Sequence, residues 1–473
     1  MASDESPTTI FAPATALGRA AIAVLRISGP HAGAALQALA GDLPPPRRAT
    51  RRRLTTADGE ALDDALVLWF PGPASYSGED AAELHLHGGR AVVAAVLEAL
   101  AALPGLRPAE PGEFTRRAFE NGKLDLTAIE GLADLVAAES EAQRRQALRQ
   151  LDGELGALYD SWRESLLHAL AMMEAAIDFS DEDLPDDLVS SVHHDIRSVL
   201  QGLILHLDDN HRGERLREGL FVAIIGAPNV GKSSLLNRLA RREAAIVSHH
   251  AGTTRDVVEV HMDIAGLPVI LADTAGLRAR VEGAGGAGKD LDEVEQEGIA
   301  RTLARAAAAD LKIAVFDAAA WPRTDERTRE LVDKDTMVIV NKIDLVNDIN
   351  DIELGENSIA GAGKTVMDRT VWPLSCRDGT GLEGFLEALE AALTARLVPG
   401  LSVVLTRARH RAALEDCVAA LERFLAARDE ALTAPELATE DLRLAARALG
   451  RITGRVDVED VLDVIFAEFC IGK

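Results

Sequence analysis

"GAPNVGKSS", Gly226 to Ser234, is the stretch on which the reading of the fold turns. It follows the apolar run "LFVAIIG" and opens a helical pattern, which is the strand-to-helix context a phosphate-binding loop requires. The glycines let backbone N–H groups close around a β-phosphate at the helix N-terminus. Lys232 is suited to the β and γ oxygens and the Ser233 hydroxyl to Mg²⁺, with Asn229, Val230, Gly231 and Ser234 completing the loop. Two similar stretches fail the same test: "GAGGAGKD" (Gly283 to Asp290) ends in an aspartate that repels phosphate, and "SIAGAGKT" (Ser358 to Thr365) lacks the first glycine. Both read as flexible loops.

Outward from this loop, strand-length apolar runs ("LFVAIIG", "LPVILADTAG", "LKIAVFDA", "TMVIVNKIDL", "VWPLSC") alternate with helical segments over residues 219–397. That alternation predicts a mostly parallel sheet with helices on both faces. "NKID" selects the base: Asp344 can accept from the guanine N1–H and exocyclic amine, a donor pair adenine does not offer, while Asn341 and Lys342 brace ring and loop. "DTAG" (Asp273, Thr274, Ala275, Gly276) puts a carboxylate near Mg²⁺ through water and an amide near the γ-phosphate. Thr254 in "AGTTRD" completes the metal shell, and "SCR" (Ser375, Cys376, Arg377) closes the base pocket by its backbone. Five motifs in this order point to a GTP-hydrolysing domain. The glutamine that orients water after "DTAG" in many small GTPases is replaced here by Leu277 and Arg278, so another group must do that task.

The flanks are of another kind. Residues 1–123 mix short apolar runs with turn-rich joints and read as a compact α+β unit. Residues 124–218 show helical spacing (Ile129, Leu132, Leu135, Val136, then Leu148, Leu151, Leu155, Leu158), interrupted by the acidic loop "DFSDEDLPDD". Helical spacing returns in 398–473 with Leu414, Cys417, Leu421 and Phe424, and again with Val461, Leu462, Ile465, Phe466 and Phe469 behind an Asp457 cap. Helices before and after an α/β region suggest one helical domain into which the nucleotide domain is inserted.

Three cysteines in 473 residues make neither a disulfide framework nor a zinc cluster, and "MASDESPTTI" has no signal-peptide character, so the cytoplasm is expected and no membrane association. A net charge of -26 repels phosphate backbones, so nucleic-acid binding has to come from local patches or a basic partner. "PPPRRATRRRL" (Pro44 to Leu54) is the densest such patch, the alternative reading being a solvated loop.

Over its full length the chain resembles the tRNA-modification GTPases of the MnmE (TrmE) type, in "GRAAIAVLRISGP", "SYSGEDAAELHLHGG", "PGEFTRRAFENGKLDLTAIEGLADL", the P-loop segment, "DTAGLR", "DEVEQEGI" and the terminal "FCIGK". The resemblance implies an N-terminal folate-binding and dimerising domain, a helical domain made from the two flanks, and an inserted Ras-like P-loop domain. It implies that Glu295 orients the attacking water, and that K⁺ near the phosphates is held by Asn229, Ser248, His250 and Thr253. A 5-formyl-tetrahydrofolate-like carrier would meet Arg26, Glu83, Lys123 and, through a folded-back tail, Lys473, with Cys470 beside the one-carbon unit as nucleophile or redox-sensitive ligand. The sequence departs from the family in a longer Gly-rich link between Arg278 and Asp292 and in the pair His249–His250. The implied activity is that of a GTP-hydrolysing homodimer. With an FAD-containing MnmG (GidA)-type partner it would add an aminomethyl or carboxymethylaminomethyl group to C5 of the wobble uridine of certain tRNAs. The rival readings are a GTP-dependent ribosome-assembly switch, and a folate enzyme whose GTPase domain only gates dimerisation.

Overall fold

The computed structural model describes residues 8–16, 18–178, 188–242, 259–273, 309–322, 325–346, 364–366, 369–397, 404–426, 435–456, 462, 465–466, 469 and 472. The chain forms two compact units, one of Met1–Val136, Leu148–Ile204 and Ala412–Lys473, the other of Ala137–Ala147 and Leu205–Arg411. The second unit therefore interrupts the first in sequence.

In the first unit, β1 (Thr9–Pro13), β2 (Ile22–Ser28), β3 (Thr50–Thr55), β4 (Ala61–Phe70), β5 (Ala81–His87) and β6 (Leu106–Pro108) form a sheet of order β3-β4-β5-β2-β1-β6. β1 and β6 run parallel and the other pairs antiparallel. Alternation decides the faces: Leu25, Ile27, Leu54, Val67, Leu84 and Leu86 point into one core with α1 (Ala32–Ala40) and α2 (Arg90–Ala101). Arg26, Glu83 and Leu66 lie on the other face, where α3 (Glu113–Glu120) adds Phe114 to Ile10 and Ala12.

Helices follow: α4 (Leu126–Ala137), α5 (Glu141–Leu151), α6 (Glu154–Asp178), α7 (Leu188–Leu207) and α8 (Arg212–Glu218). The apolar spacing from Leu148 to Leu158 reads as one helix but is cut at Asp152–Gly153, where Gly153 takes the left-handed φ of +87° that ends α5. The run to Arg217 is likewise two helices: Asn210 and His211 both have positive φ, and the Asp209 carboxylate accepts from the His211 N–H. Side-chain hydrogen bonding to the local backbone ends the helix there.

In the second unit, β7 (Leu220–Ile225), α9 (Lys232–Arg242), β8 (Glu259–Ile264), β9 (Leu267–Asp273), β10 (Leu311–Asp317), α10 (Glu326–Glu330), β11 (Thr336–Asn341), β12 (Lys364–Val366), β13 (Arg369–Pro373) and α11 (Leu382–Leu397) give a seven-stranded sheet of order β12-β13-β11-β10-β7-β9-β8. The five inner strands are parallel and only the edges antiparallel. Buried aliphatic residues on both faces of these strands fill two cores, as near-continuous apolar runs require. Lys364 and Thr365, which end "SIAGAGKT", lie in β12 and not at the start of a helix, so that stretch lacks the P-loop context.

The chain then returns through α12 (Ala408–Ala426) and α13 (Pro435–Thr453). Leu414, Cys417, Leu421 and Phe424 are fully buried on one face of α12, as their spacing predicts, and α13 packs along α6. Ile465, Phe466 and Phe469 join Leu126 and Ile129 in a separate small core. Asp457 lies outside the described residues, and among the described residues no helix is long and apolar enough to cross a membrane.

Candidate functional site

The strand order brings the C-terminal ends of β7, β9, β10, β11 and β13 to one edge of the parallel sheet, the place where open α/β sheets bind ligands. Register aligns Ile224 with Asp273 and Asp317 with Asn341 along this edge. Between β7 and α9 the loop turns on Gly226 (φ +155°), Asn229 (φ +63°) and Gly231 (φ +104°). A Cβ at Gly226 would come within 2.5 Å of the Val315 carbonyl, and one at Gly231 would strike the Asn341 amide. Glycine is required at both. Lys232 is 4% exposed, and its ammonium donates to the Gly226 and Ala227 carbonyls at 2.7 Å each, so the charge sits within the loop.

Asn341 joins this loop to the rest of the site. Its Nδ2 donates to the Val230 carbonyl at 2.8 Å, and its Oδ1 accepts from the Cys376 N–H at 3.0 Å. Asp344, on the short helical turn after Asn341, accepts from the Ser375 hydroxyl at 2.8 Å on one oxygen, while Arg377 stands 3.8 Å from the other. Ser375 Oγ in turn accepts from the Arg377 N–H, which folds the "SCR" backbone against the carboxylate. An aspartate held on one side presents its remaining lone pairs to a base that offers two adjacent N–H groups. Lys342 takes a left-handed φ of +67° and pairs with Asp317 at 2.7 Å, a partner on β10 that no motif marks. Burial pushes the Cys376 thiol up to about 11 against the opposing Arg238 charge, while its backbone N–H donates to Asn341.

A second cluster occupies the first unit. Cross-strand register sets Ala12, Arg26, Glu83 and Leu68 in one row. Arg26 donates to Glu83 at 3.1 Å and lies over the rings of Tyr76 (5.3 Å) and Phe114 (5.9 Å). The Tyr76 hydroxyl meets that of Thr115 at 2.8 Å, and burial raises its pKa, against the Thr115 hydrogen bond and the Arg26 charge. Lys123 donates to the Pro73 carbonyl at 3.1 Å, on the loop that carries Tyr76. Tyr76, Phe114 and Thr115 were missed by sequence reasoning, although all lie in the quoted motif stretches. Phe466 packs against α3: a Cβ at Gly112 would come within 3.0 Å of it, and the Arg116 guanidinium stands 5.1 Å above its ring. Gly472, with φ +99°, abuts Pro13 and Ala14, adjoining the strand position that pairs with Arg26.

Ser248, His250, Thr253, Thr254, Thr274, Ala275, Gly276, Glu295, Cys470 and Lys473 lie outside the described residues, and of Asp273 only the strand position is described.

Comparison with known proteins covers both units. The family model for the MnmE helical domain matches residues 126–470, and that for the GTP-binding protein TrmE N-terminus matches residues 9–123. A protein of Paramagnetospirillum magneticum named tRNA modification GTPase MnmE is 55% identical over 466 residues, covering 98% of this chain and 99% of that protein. Proteins of the same name from Rhodospirillum rubrum (54% over 480 residues, 98% and 99% covered) and Parvibaculum lavamentivorans (55% over 471, 98% and 100%) are similarly related.

Proposed function

The chain belongs to the MnmE (TrmE) family of tRNA modification GTPases, and from that premise we propose that it couples GTP hydrolysis to a chemical change in tRNA. It is a GTPase. The observation that carries the guanine assignment is the Asn341 side chain, which spans Val230 and Cys376 while Ser375 braces Asp344. Phosphate loop and base pocket are thereby one hydrogen-bonded unit. Gly226 and Gly231 leave no room for a Cβ against Val315 and Asn341, and a loop held this close at the start of a helix would turn its backbone N–H groups to a nucleotide phosphate, with Mg²⁺ beside it. Lys232 offsets phosphate charge, Ser233 and Thr254 hold the metal, and Asp273 with the Gly276 amide senses the γ-phosphate.

In this reading Glu295 would position water for attack, and Asn229, Ser248, His250 and Thr253 would hold K⁺, whose positive charge would offset charge developing on the phosphates. The row Arg26–Glu83, with Tyr76 and Phe114 beside it and Gly472 one strand away, favours a folate-type ligand. Glu83 can accept from pterin N–H groups, and Arg26, Lys123 and Lys473 can pair with carboxylates. The chain acts as a homodimer with an FAD-containing MnmG-type partner on C5 of the wobble uridine of certain tRNAs. Cys470, close to the one-carbon unit, is nucleophile or redox-sensitive ligand.

The test is steady-state GTP hydrolysis in KCl against NaCl at equal ionic strength, with Glu295→Ala alongside. Strong stimulation by K⁺ and an inactive variant that still binds GTP are expected. Equal rates in the two salts would remove the cation from the mechanism, and an active variant would remove Glu295.

A further inference from the structure

The basic run Arg47, Arg48, Arg51, Arg52 and Arg53 is used by neither site. It lies in the loop before β3 and along β3, which is an outer strand of its sheet. Arg47, Arg48, Arg51 and Arg53 are exposed, and Arg52 is half-buried on the Leu54 side of the strand. Successive side chains of a strand alternate, so the arginines project from both faces of one edge. The hairpin that carries these guanidiniums also holds Asp58, Glu60, Asp63 and Asp64, with Asp64 in register opposite Arg53 and Asp63 opposite Leu54. Asp64 stands 3.6 Å from Arg51, and Asp63, the neighbouring carboxylate, is taken by the backbone N–H and the ring of His87. Arg48, Arg52 and Arg53 make no ion pair among the described residues. The loop is also fixed: the Arg47 N–H donates to the Trp69 carbonyl at 2.8 Å, and its guanidinium lies 5.9 Å over the Phe70 ring.

Charged side chains on an outer strand can serve merely to block pairing with another sheet, but that purpose is met by one or two charges of either sign. Five of one sign within seven positions, against a net charge of -26, concentrate positive potential where the rest of the surface repels anions. Arginine forks match phosphate oxygens, and same-face arginines on a strand stand about 7 Å apart, comparable to the step between successive phosphates of a nucleic-acid strand. We propose that the β3 edge, through Arg48, Arg51 and Arg53 with Arg47 and Arg52 beside them, grips the phosphate backbone of the tRNA on which the protein acts. The contact positions the RNA and reads no base. This inference rests on the tRNA reading above.

The experiment measures binding of an unmodified tRNA transcript to the full-length protein by fluorescence anisotropy from about 50 to about 300 mM KCl, a range in which phosphate contacts dominate the salt dependence. The triple variant Arg48→Ala/Arg51→Ala/Arg53→Ala is compared with wild type and with Arg144→Ala/Arg145→Ala, whose arginines both pair with Glu141. The triple variant is expected to bind more weakly, to the same degree whatever the anticodon. Its log–log salt slope should be shallower by about 2 to 3, roughly one per lost phosphate contact. The control pair should keep the wild-type slope, and GTP turnover without tRNA should be the same in all three proteins. Unchanged slope and affinity in the triple variant overturn the proposal. So does unchanged RNA affinity with a larger species on gel filtration, which would assign the arginines to edge protection. If wild type itself fails to bind tRNA at the lowest salt, it is the tRNA reading that falls, and this inference with it.

Discussion

Replacing Asn341 by alanine removes the joint between phosphate loop and base pocket. The residue is 2% exposed, and both its polar atoms bond to backbone groups of other loops. Alanine leaves the Val230 carbonyl unpaired in a buried position and the Cys376 N–H unpaired in a half-buried one. A buried group left without its partner costs about 1–3 kcal/mol, and the Cys376 N–H can recover part of that from water, so the total is about 2–4 kcal/mol. For a unit of this size each kcal/mol moves the melting point by about 2–4 °C, so the GTPase unit should melt roughly 4–15 °C lower. Because the joint aligns loop and pocket without touching the γ-phosphate, GTP and GDP affinities should fall together, by about tenfold or more. Scanning calorimetry of the full chain with and without Mg·GDP, and titration with a fluorescent nucleotide, read the two effects. Asn341→Asp sharpens the test: it keeps the acceptor for Cys376 but turns a carboxylate oxygen toward the Val230 carbonyl, and should be at least as damaging as alanine. Affinities within twofold of wild type, a melting point within about 2 °C, or rescue by aspartate would each refute the reasoning.

Other expectations follow from single contacts. Asp344→Asn exchanges an acceptor-only group for one that also donates, so guanine nucleotides should be lost and xanthine nucleotides, which present a carbonyl in place of the amine, gained; competition binding decides it. Gly472→Ala forces a side chain into Pro13 and Ala14 at a φ of +99°, and carboxypeptidase should then remove Lys473 faster than from wild type. Burial pushes His206 down from 6.5 to about 4, with Asp209 opposing and the His410 and Arg411 charges adding to the effect. The unfolded chain therefore takes up a proton below pH 6.5 that the folded chain accepts only near 4. This contribution to stability is complete above that window and lost as pH falls through it, by less than about 1.4 kcal/mol per pH unit because the ring is partly exposed. Urea denaturation between about pH 4.5 and 7.5 should show the slope in wild type and a flatter curve in His206→Gln.

Elements with local causes were legible in the amino-acid order alone. The P-loop is set by glycines, a lysine and a serine within nine positions, between an apolar strand and a helix, and each needs only its near neighbours to take shape. The buried face of α12 follows from helical spacing in the same way. Spacing failed at Gly153 and at Asp209–His211, where one residue's backbone conformation outweighs an apolar period that runs on past it. Which distant groups meet depends on the assembled sheets. Asn341 reaches Val230 across 111 positions because β11 and β7 flank β10, and Arg26 meets Glu83 across 57 because β2 and β5 pair in one register. Lys312 is 4% exposed within β10, where its charge would forbid burial, because Asp333 lies 2.6 Å from its ammonium. The basic run became an edge through the same strand order. Periodicity fixes the face a residue shows, whereas hydrogen-bond partners, edges and buried charges depend on strand order and register, which are properties of the assembled sheet.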